Sequence, residues 1–527
     1  MSRPVKTIGE TTTSEFLSDR IPHSNDLPDC DVIHFTDGLI REGCIEEAIN
    51  YLRQISPVKA SIKLSMSFRG VRGSRAINSH VANFSPGFLD KIKRAIDFLD
   101  YVDLDSDSDL TPQVLSIIPP HKRIITSRVK TTGSNVSAFQ SMLKQHQSLS
   151  NINAFLYRFI SDDGLAAVEF LHHIKQKNVV AYDDHDDALW SRICAPYRGA
   201  SVIFARLDKS CPTSLDRLHK TFYLRDLPES IDRIYGIAGP SVNSSFSPMV
   251  HNKGLRELQI PAIYLPFKLH DLKTLDKYIF RLKNIGLPIQ GLTINAPLKG
   301  TVNTAYNASR AIIEKTRSAN VLVMKNGEGV VDTTDDLGLI HVLEQHQISV
   351  LGKRVAIIGC GCSGRVAAYT LRGLGAEVVL YNRGPERGKL AEQLLQLRYY
   401  PLEQLDPHGF DLLVNTAPFA GHKDLTFSIE RLNPKSVVID FVYTPYPNSF
   451  IAYAKLKGLE IIDGFEVLNG QLLSQFQSLT GHALPREASR VLKEILKGRK
   501  KTSTTAVEFI NEPIVNKRMH PARVVQV

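Results

Sequence analysis

RVAIIGCGCSGRVAAYTLRGLGAEVVLYNR, residues Arg354–Arg383, opens on an apolar run, Val355–Ile358, of the kind that forms a buried strand. Gly359, Gly361 and Gly364 follow with G-x-G-x-x-G spacing. An amphipathic segment then reaches Gly373 and Gly375, and a second apolar run, Val378–Tyr381, comes at once. In this strand, glycine loop, helix, strand order the glycines allow a tight turn and let backbone N–H groups at the helix start approach a pyrophosphate. Gly359, Gly361, Cys362, Ser363 and Gly364 are therefore the expected cofactor cradle. The second strand ends in Asn382-Arg383, with Arg387 four residues beyond Arg383. A guanidinium pairs with a ribose 2′-phosphate that a carboxylate would repel, so NADP is the expected cofactor in preference to NAD.

The chain has 527 residues, too many for one core, and its 43% apolar and 22% charged content is that of a soluble globular protein. Much of the +10 net charge collects near the C-terminus, in Lys497, Arg499, Lys500, Lys501, Lys517, Arg518 and Arg523. With little apolar periodicity around them, a solvated tail is expected there. No basic face interleaved with aromatics is visible, so nucleic acid is not an expected partner. The six cysteines are scattered. Cys360 and Cys362 are too close for an ordinary disulfide and have no second pair for zinc, which points to a reduced, cytoplasmic setting and no metal. No apolar run approaches the roughly 18 residues of a membrane span. The N-terminus lacks an apolar signal core, and Glu10 and Glu15 argue against a transit peptide.

Residues 1–28 are polar and are expected to be flexible. Over 29–228, short apolar runs alternate with amphipathic segments: DVIHF (31–35), ASIKLSM (60–66), YVDLD (101–105), RIITSR (123–128), AFLYRF (154–159), NVVAYD (178–183) and SVIFAR (201–206). Ile45, Ala48, Ile49, Leu52 and Ile55 mark one intervening helix face, and Leu89, Ile92, Ala95, Ile96 and Leu99 another. Seven strand candidates separated by helices predict a parallel (β/α)8-like barrel, its eighth strand before Asp31 or after Arg206. The strand ends would hold Phe35, Asp105, Arg128, Arg158, Asp183 and Arg206. The run Asp183–Asp187 reads as an acidic loop rather than a metal site, and His172-His173 as helix surface.

A new unit begins near 229 and extends to 340. Its strands are IDRIYGIAG (231–239), Ile263–Phe267 and GLTIN (291–295), with a helix over 271–285. Asn320–Met324 and Gly329–Thr333 flank Asn326-Gly327, a strong hairpin signal. The glycine-loop domain fills 341–495, with further strands in FDLLVNTA (410–417), SVVIDFVY (436–443) and LEIIDG (459–464) and a helix from Phe465 to Leu479. Residues 496–527 are the basic tail. This layout predicts an α/β chain: a barrel, then two lobes facing each other across a cleft.

Several ordered motifs in 230–490 resemble shikimate dehydrogenase. S-x-S-P-x-x-H-N stands as Ser245-Phe246-Ser247-Pro248-Met249-Val250-His251-Asn252, and P-x-K as Pro297-Leu298-Lys299. N-T-D-x-x-G stands as Thr333-Thr334-Asp335-Asp336-Leu337-Gly338, and D-x-x-Y-x-P as Asp440 to Pro445. G-x-x-M-L-x-x-Q stands as Gly464 to Gln471, followed by Gln475-Phe476. The resemblance implies reversible NADP-dependent reduction of 3-dehydroshikimate to shikimate in aromatic amino-acid biosynthesis. Lys299 and Asp335 would be the catalytic pair. Ser245, Ser247, Asn295, Asn320, Tyr443, Gln471 and Gln475 would bind substrate, and Gly464 would join the cofactor residues. Paired serine hydroxyls suit a carboxylate, and amides suit ring hydroxyls. The Lys299 ammonium suits an oxygen that gains negative charge as hydride arrives. Departures from the pattern are Thr293-Ile294-Asn295 for N-V-T, Thr333 for asparagine, and Gly384 after Asn382-Arg383. They leave quinate open as a substrate.

The first half resembles type I 3-dehydroquinate dehydratase through Ser191-Arg192-Ile193, Gly199-Ala200-Ser201 and Ser210-Cys211-Pro212. The whole chain thus resembles the dehydratase–dehydrogenase fusions of plants and chlamydiae. Arg158 stands where that family's Schiff-base lysine belongs, Arg128 where its general-base histidine belongs, and Ser214 for a glutamine. The acidic and arginine pair of the first strand is missing around Ile33–Phe35. Arginine stays protonated and cannot form an imine, so the barrel is expected to lack dehydratase activity, with Arg192 and Ser210 as remnants. A non-catalytic sensor of a shikimate-pathway acid is the reading from another class. Retention of both Lys299 and Asp335 favours the enzyme. The sequence gives no signal of oligomeric state.

Overall fold

Eight parallel strands wrap into a nearly closed barrel: β1 (Lys6–Thr11), β2 (Val32–Phe35), β3 (Lys63–Ser67), β4 (Tyr101–Asp105), β5 (Arg123–Val129), β6 (Leu156–Ser161), β7 (Val179–Asp183) and β8 (Val202–Arg206). They pair in the order β7-β6-β5-β4-β3-β2-β1-β8. The computed structural model describes residues 6–11, 29–36, 49–50, 53, 62–68, 86–130, 137–418, 426–427, 429–443 and 448–502. The helix face expected over Ile45–Ile55 falls mostly outside these residues, as do Pro445 and residues 503–527.

Within the stretch expected to be flexible, Lys6–Thr11 is instead a strand. β1 lies within residues 1–28 and pairs with both β2 and β8. Its sequence, KTIGET, offers a single large apolar residue, so periodicity gave no strand signal. The first strand of the barrel is therefore Lys6–Thr11, and Ile33–Phe35 belongs to the second. Glu10 of β1 lies beside His34 of β2 in the strand pairing.

A mixed six-stranded sheet forms the middle lobe: β9 (Arg233–Gly239), β10 (Ala262–Lys268), β11 (Ile289–Ile294), β12 (Asn307–Ala308), β13 (Val321–Lys325) and β14 (Glu328–Asp332). Asn326 and Gly327 both have positive φ, which the tight β13–β14 hairpin requires. The third sheet is all parallel, with β15 (Arg354–Ile358), β16 (Glu377–Asn382), β17 (Tyr399–Pro401), β18 (Leu412–Asn415), β19 (Val437–Asp440) and β20 (Glu460–Ile462). Its order, β17-β16-β15-β18-β19-β20, is that of a doubly wound dinucleotide fold, and the glycine loop after β15 lies at the switch point.

Two closing helices return to the middle lobe. Gly464–Thr480 and Arg486–Thr502 bury Phe465, Leu472, Phe476, Ala488 and Leu492 in one core with Tyr235, Ile237 and Val250. The second helix carries the chain through Lys497–Thr502, so the start of the stretch read as a solvated tail is helical. The barrel and middle lobe also share a core. Leu189, Trp190 and Ile193 cluster with Phe267, Leu275 and Leu282, and Trp190 stands 5.6 Å from Phe267 and 5.4 Å from Tyr278 between ring centroids. The Arg281 guanidinium reaches Glu169 of the barrel through both nitrogens Nε and Nη2. Among the described residues no helix is long and apolar enough to cross a membrane.

His251 is buried in the helix Ser247–Glu257, stacked 4.3 Å from the Tyr264 ring. Its Nδ1 lies 2.8 Å from the Ser247 carbonyl, which it serves as donor, while Nε2 has no partner. Burial lowers its pKa to about 4. A folded pKa below the unfolded value near 6.5 gives stability that is complete above pH 6.5 and is lost as pH falls toward 4. Between pH 6.5 and 5 this group removes about 2 kcal/mol, at ~1.4 kcal/mol per pH unit. Urea titrations followed by Trp190 fluorescence should show that loss, and the His251→Asn variant, which keeps a donor for Ser247, should lack its share.

Candidate active site

Asp335 is the first residue of the helix Asp335–Gln345 and is fully buried. Four side chains from four separate elements donate to its carboxylate. Lys299 Nζ lies 3.1 Å from Oδ1 and 3.0 Å from Oδ2. Asn320 Nδ2 donates at 2.7 Å and Gln471 Nε2 at 3.1 Å to Oδ1, and Ser363 Oγ donates at 2.8 Å to Oδ2. A carboxylate can remain buried only with such compensation. The turn before it is clamped by Arg310, whose Nε reaches Asp332 at 2.8 Å and Nη1 reaches Asp336 at 2.7 Å.

Lys299 sits on a short 3-10 turn after β11 and faces a cleft between the middle and C-terminal lobes. Ser245, Ser247, Thr293, Asn295, Ser363, Thr416, Tyr443, Gln471 and Gln475 line the same cleft. Ser245 Oγ accepts from the Ser247 N–H at 3.2 Å, which fixes the two hydroxyl-bearing residues at the start of their helix. Tyr264 Oη and Thr293 Oγ1 are 2.5 Å apart behind this wall. Gln475 is one of the cleft-lining residues, and its Oε1 is buried with no hydrogen-bond partner. Tyr443 packs against Phe465 and Phe246, at 5.7 Å and 6.1 Å between centroids, and burial pushes its pKa up.

Asp440, at the end of β19, holds the segment that carries Tyr443. Its carboxylate accepts from Asn415 Nδ2 and the Val442 N–H, both at 2.9 Å, and from Asn448 Nδ2. Burial raises its pKa to about 6.

The glycine loop meets this cleft from the other lobe. The helix Cys362–Gly373 starts at Gly361 with no side-chain cap, so its first N–H groups point outward unclaimed by the chain's own side chains. A Cβ on Gly364 would lie 1.9 Å from the Gly359 carbonyl oxygen and 2.7 Å from Thr416 Oγ1, whereas Gly361 faces open space. These features fit a pyrophosphate. Asn382 Oδ1 accepts from the Cys360 N–H at 3.0 Å and so ties the loop to the end of β16. Arg383 and Arg387 are exposed there.

Of the residues expected from sequence, Ser245, Ser247, Asn295, Lys299, Ser363, Tyr443, Gln471 and Gln475 line one cleft, with Asp335 directly behind Lys299. Asn320 is buried, with Nδ2 on Asp335 and Thr334 and Oδ1 accepting from the Thr334 N–H. Gly464 lies against the Val442 carbonyl, where a Cβ would approach within 2.5 Å. Sequence reasoning did not single out Thr416, Tyr264 or Gly470. Thr416 is placed by the β15–β18 pairing, and Tyr264 lies in an apolar strand without a motif. Gly470 meets Gly338 where two helices cross, a Cβ there reaching 2.9 Å from the Gly338 carbonyl oxygen.

The barrel interior is different. Arg158 is mid-strand rather than at a strand end, and it is buried. Its Nη2 pairs with Glu10 at 2.6 Å, Nε donates to Tyr182 at 2.7 Å, and Nη1 lies 3.7 Å from Asp103. Burial opposes its charge, but Glu10, Tyr182 and Asp103 outweigh that and push its pKa up. Burial lowers the pKa of neighbouring His34 to about 4. Arg192 donates to Asp184 at 2.5 Å and to the Phe204 carbonyl at 2.9 Å, and Ser210 is exposed in a turn with Asp208. His185 Nδ1 pairs with Asp183, and among the described residues no group of His, Cys, Asp and Glu could hold a metal ion.

No family model matches the sequence. The curated protein "Shikimate biosynthesis protein AroDE" of Chlamydia muridarum is 28% identical over 270 residues, covering 51% of this chain and 54% of that protein. The chain thus spans about half the length of the AroDE relatives it matches. The "Shikimate dehydrogenase (NADP(+))" of Pyrococcus furiosus is 32% identical over 257 residues, 47% of this chain and 90% of that protein. That of Thermococcus kodakarensis is 31% identical over 253 residues, 47% and 91%. Among solved structures, shikimate 5-dehydrogenase from Thermus thermophilus in complex with NADP(H) and shikimate aligns with 49% of this chain and 99% of its own, at 25% identity and a TM-score of 0.44. The identity to relatives matched over nine-tenths of their length, together with the motifs assembled in one cleft, establishes that the chain belongs to the shikimate dehydrogenase family.

Proposed function

We propose that this chain is an NADP-dependent shikimate dehydrogenase interconverting 3-dehydroshikimate and shikimate, and that its barrel does not dehydrate 3-dehydroquinate. The Lys299–Asp335 pair at the base of a cleft bounded by Ser245, Ser247 and the glycine loop carries the first part. Gly361–Gly364 at the helix start would hold NADP(H), Arg383 and Arg387 would pair with a 2′-phosphate, and the cofactor when bound would supply or accept the hydride. Lys299 donates to the oxygen of the reacting carbon as negative charge develops there and takes the proton back in the other direction. Asp335, fixed by Asn320, Ser363 and Gln471, keeps the ammonium aimed. The serine pair holds the substrate carboxylate, and the Gln471 and Gln475 side chains on the cleft wall meet the ring hydroxyls.

The second part rests on Arg158. A guanidinium closed in by Glu10, Tyr182 and Asp103 has no nucleophilic nitrogen to offer a ketone.

Oxidation of shikimate with NADP, followed at the absorbance of NADPH, tests the dehydrogenase. Lys299→Ala should lower kcat by about 100-fold or more, the span of a lost general acid. Quinate serves as the comparison substrate. A folded protein that binds shikimate and turns over neither compound would replace the enzyme with a sensor.

Replacing Arg383 and Arg387 together by serine should raise KM for NADP about tenfold, the worth of charge-assisted hydrogen bonds, and leave the weaker reaction with NAD unchanged. Borohydride treatment in the presence of 3-dehydroquinate should trap no covalent adduct on the barrel, by intact mass.

A further inference from the structure

The strand-end face of the barrel meets the loop that carries the serine pair. After β9 the chain runs through residues 240–246 to Ser247, and the described bonds within this turn are few: the Ser245 N–H to the Val242 carbonyl at 3.1 Å, and the Ser247 N–H to Ser245 Oγ. Val242 is buried in the core shared with the closing helices and Phe246 packs on Tyr443 and Phe465, while the turn's polar anchors come from the barrel. Arg217, in the barrel helix Leu215–Phe222, donates through Nη2 to the Asn243 carbonyl. Asn243 Nδ2 donates to Asp187 Oδ1 at 3.3 Å, in the loop after barrel strand β7. Lys268, at the end of β10, holds the second oxygen of Asp187 at 2.6 Å.

Asn243 is thus gripped on both its backbone and side chain by the barrel, two residues before Ser245. The helix that begins at Ser247 is tied to the same barrel helix: Asn252 Nδ2 donates to the Thr221 carbonyl at 3.2 Å and to the Tyr264 carbonyl at 2.9 Å. On the cleft side Gly239 admits no side chain, since a Cβ would lie 2.8 Å from Asn295 Cβ. The loop therefore has little freedom toward the cleft, and the barrel sets its place from behind.

We propose that Arg217 and Asp187 are positioning residues of the dehydrogenase, by which the barrel fixes the serine pair that binds the substrate carboxylate. The inference rests on the dehydrogenase reading above. A bound carboxylate needs two hydroxyls held within a fraction of an ångström of their working places, and a short loop with few internal hydrogen bonds does not provide this alone. The barrel thereby acts in the reaction of the other half of the chain without chemistry of its own.

The test uses the full chain with Asp187→Ala, Arg217→Ala and the double variant. Asp187 is 51% exposed, so its replacement does not threaten folding, and thermal unfolding is recorded for all. A long amide hydrogen bond to an exposed carboxylate is worth up to about fivefold in binding, and a charged donor to a carbonyl about tenfold. KM for shikimate should rise by up to about fivefold in Asp187→Ala and about tenfold in Arg217→Ala, with kcat and KM for NADP within twofold. Arg217→Lys, which keeps one charged donor, should recover part of the loss; a merely structural role would move kcat and thermal stability instead. Titration calorimetry with shikimate is run alongside. Wild-type turnover with unchanged KM and Kd in the folded variants overturns the positioning role and leaves the dehydrogenase standing. Absence of wild-type turnover overturns the dehydrogenase reading, while weaker shikimate binding in the variants would still support the role of the loop anchors and unchanged binding would end it.

Discussion

A buried carboxylate is the point on which the two lobes depend. Asp335 has no solvent to carry its charge, so it is stable only while Lys299, Asn320, Ser363 and Gln471 all reach it. These donors come from the turn after β11, the start of β13, the glycine-loop helix and a closing helix. One charge therefore fixes the relative placement of four elements and both walls of the cleft. The crossing of Gly338 with Gly470 is what lets Gln471 come close enough to contribute.

The barrel contains the same kind of interaction turned to another end. Arg158 is also a buried charge with several partners, but Glu10, Tyr182 and Asp103 surround it on the inside of the sheet. Lys299 keeps an open side toward the cleft; Arg158 is enclosed. The first arrangement leaves an ammonium open to the cleft, and the second joins strands β1, β4, β6 and β7 across the barrel. The shared core around Trp190, Phe267 and Tyr278 and the Arg281–Glu169 pair then make the barrel a foundation for the middle lobe.

Much of this was legible in order along the chain. The glycine loop, the hairpin at Asn326-Gly327, seven barrel strands and the residues Lys299, Asp335, Ser245, Ser247, Gln471 and Gln475 all follow from local spacing or motif. β1 was not, because its strand is completed by an ion pair between Glu10 and Arg158, 148 residues apart, rather than by apolar alternation. The helix through Thr502 escaped notice because its apolar face is sparse and its basic residues dominate composition.

The sequence by itself determined the α/β class, the glycine loop and the chemical types available to the cleft, since these depend on short-range periodicity, backbone freedom at glycine and the identity of side chains. Only the tertiary structure decided that Asn320 braces Asp335, that Thr416 backs the glycine loop, that Arg158 is sealed by Glu10, and that Asp187 and Arg217 of the barrel hold Asn243. Each of these is a pairing of polar groups distant along the chain. No local pattern encodes such a pairing, because its partners are chosen by the packing of whole elements and the need to satisfy every buried charge.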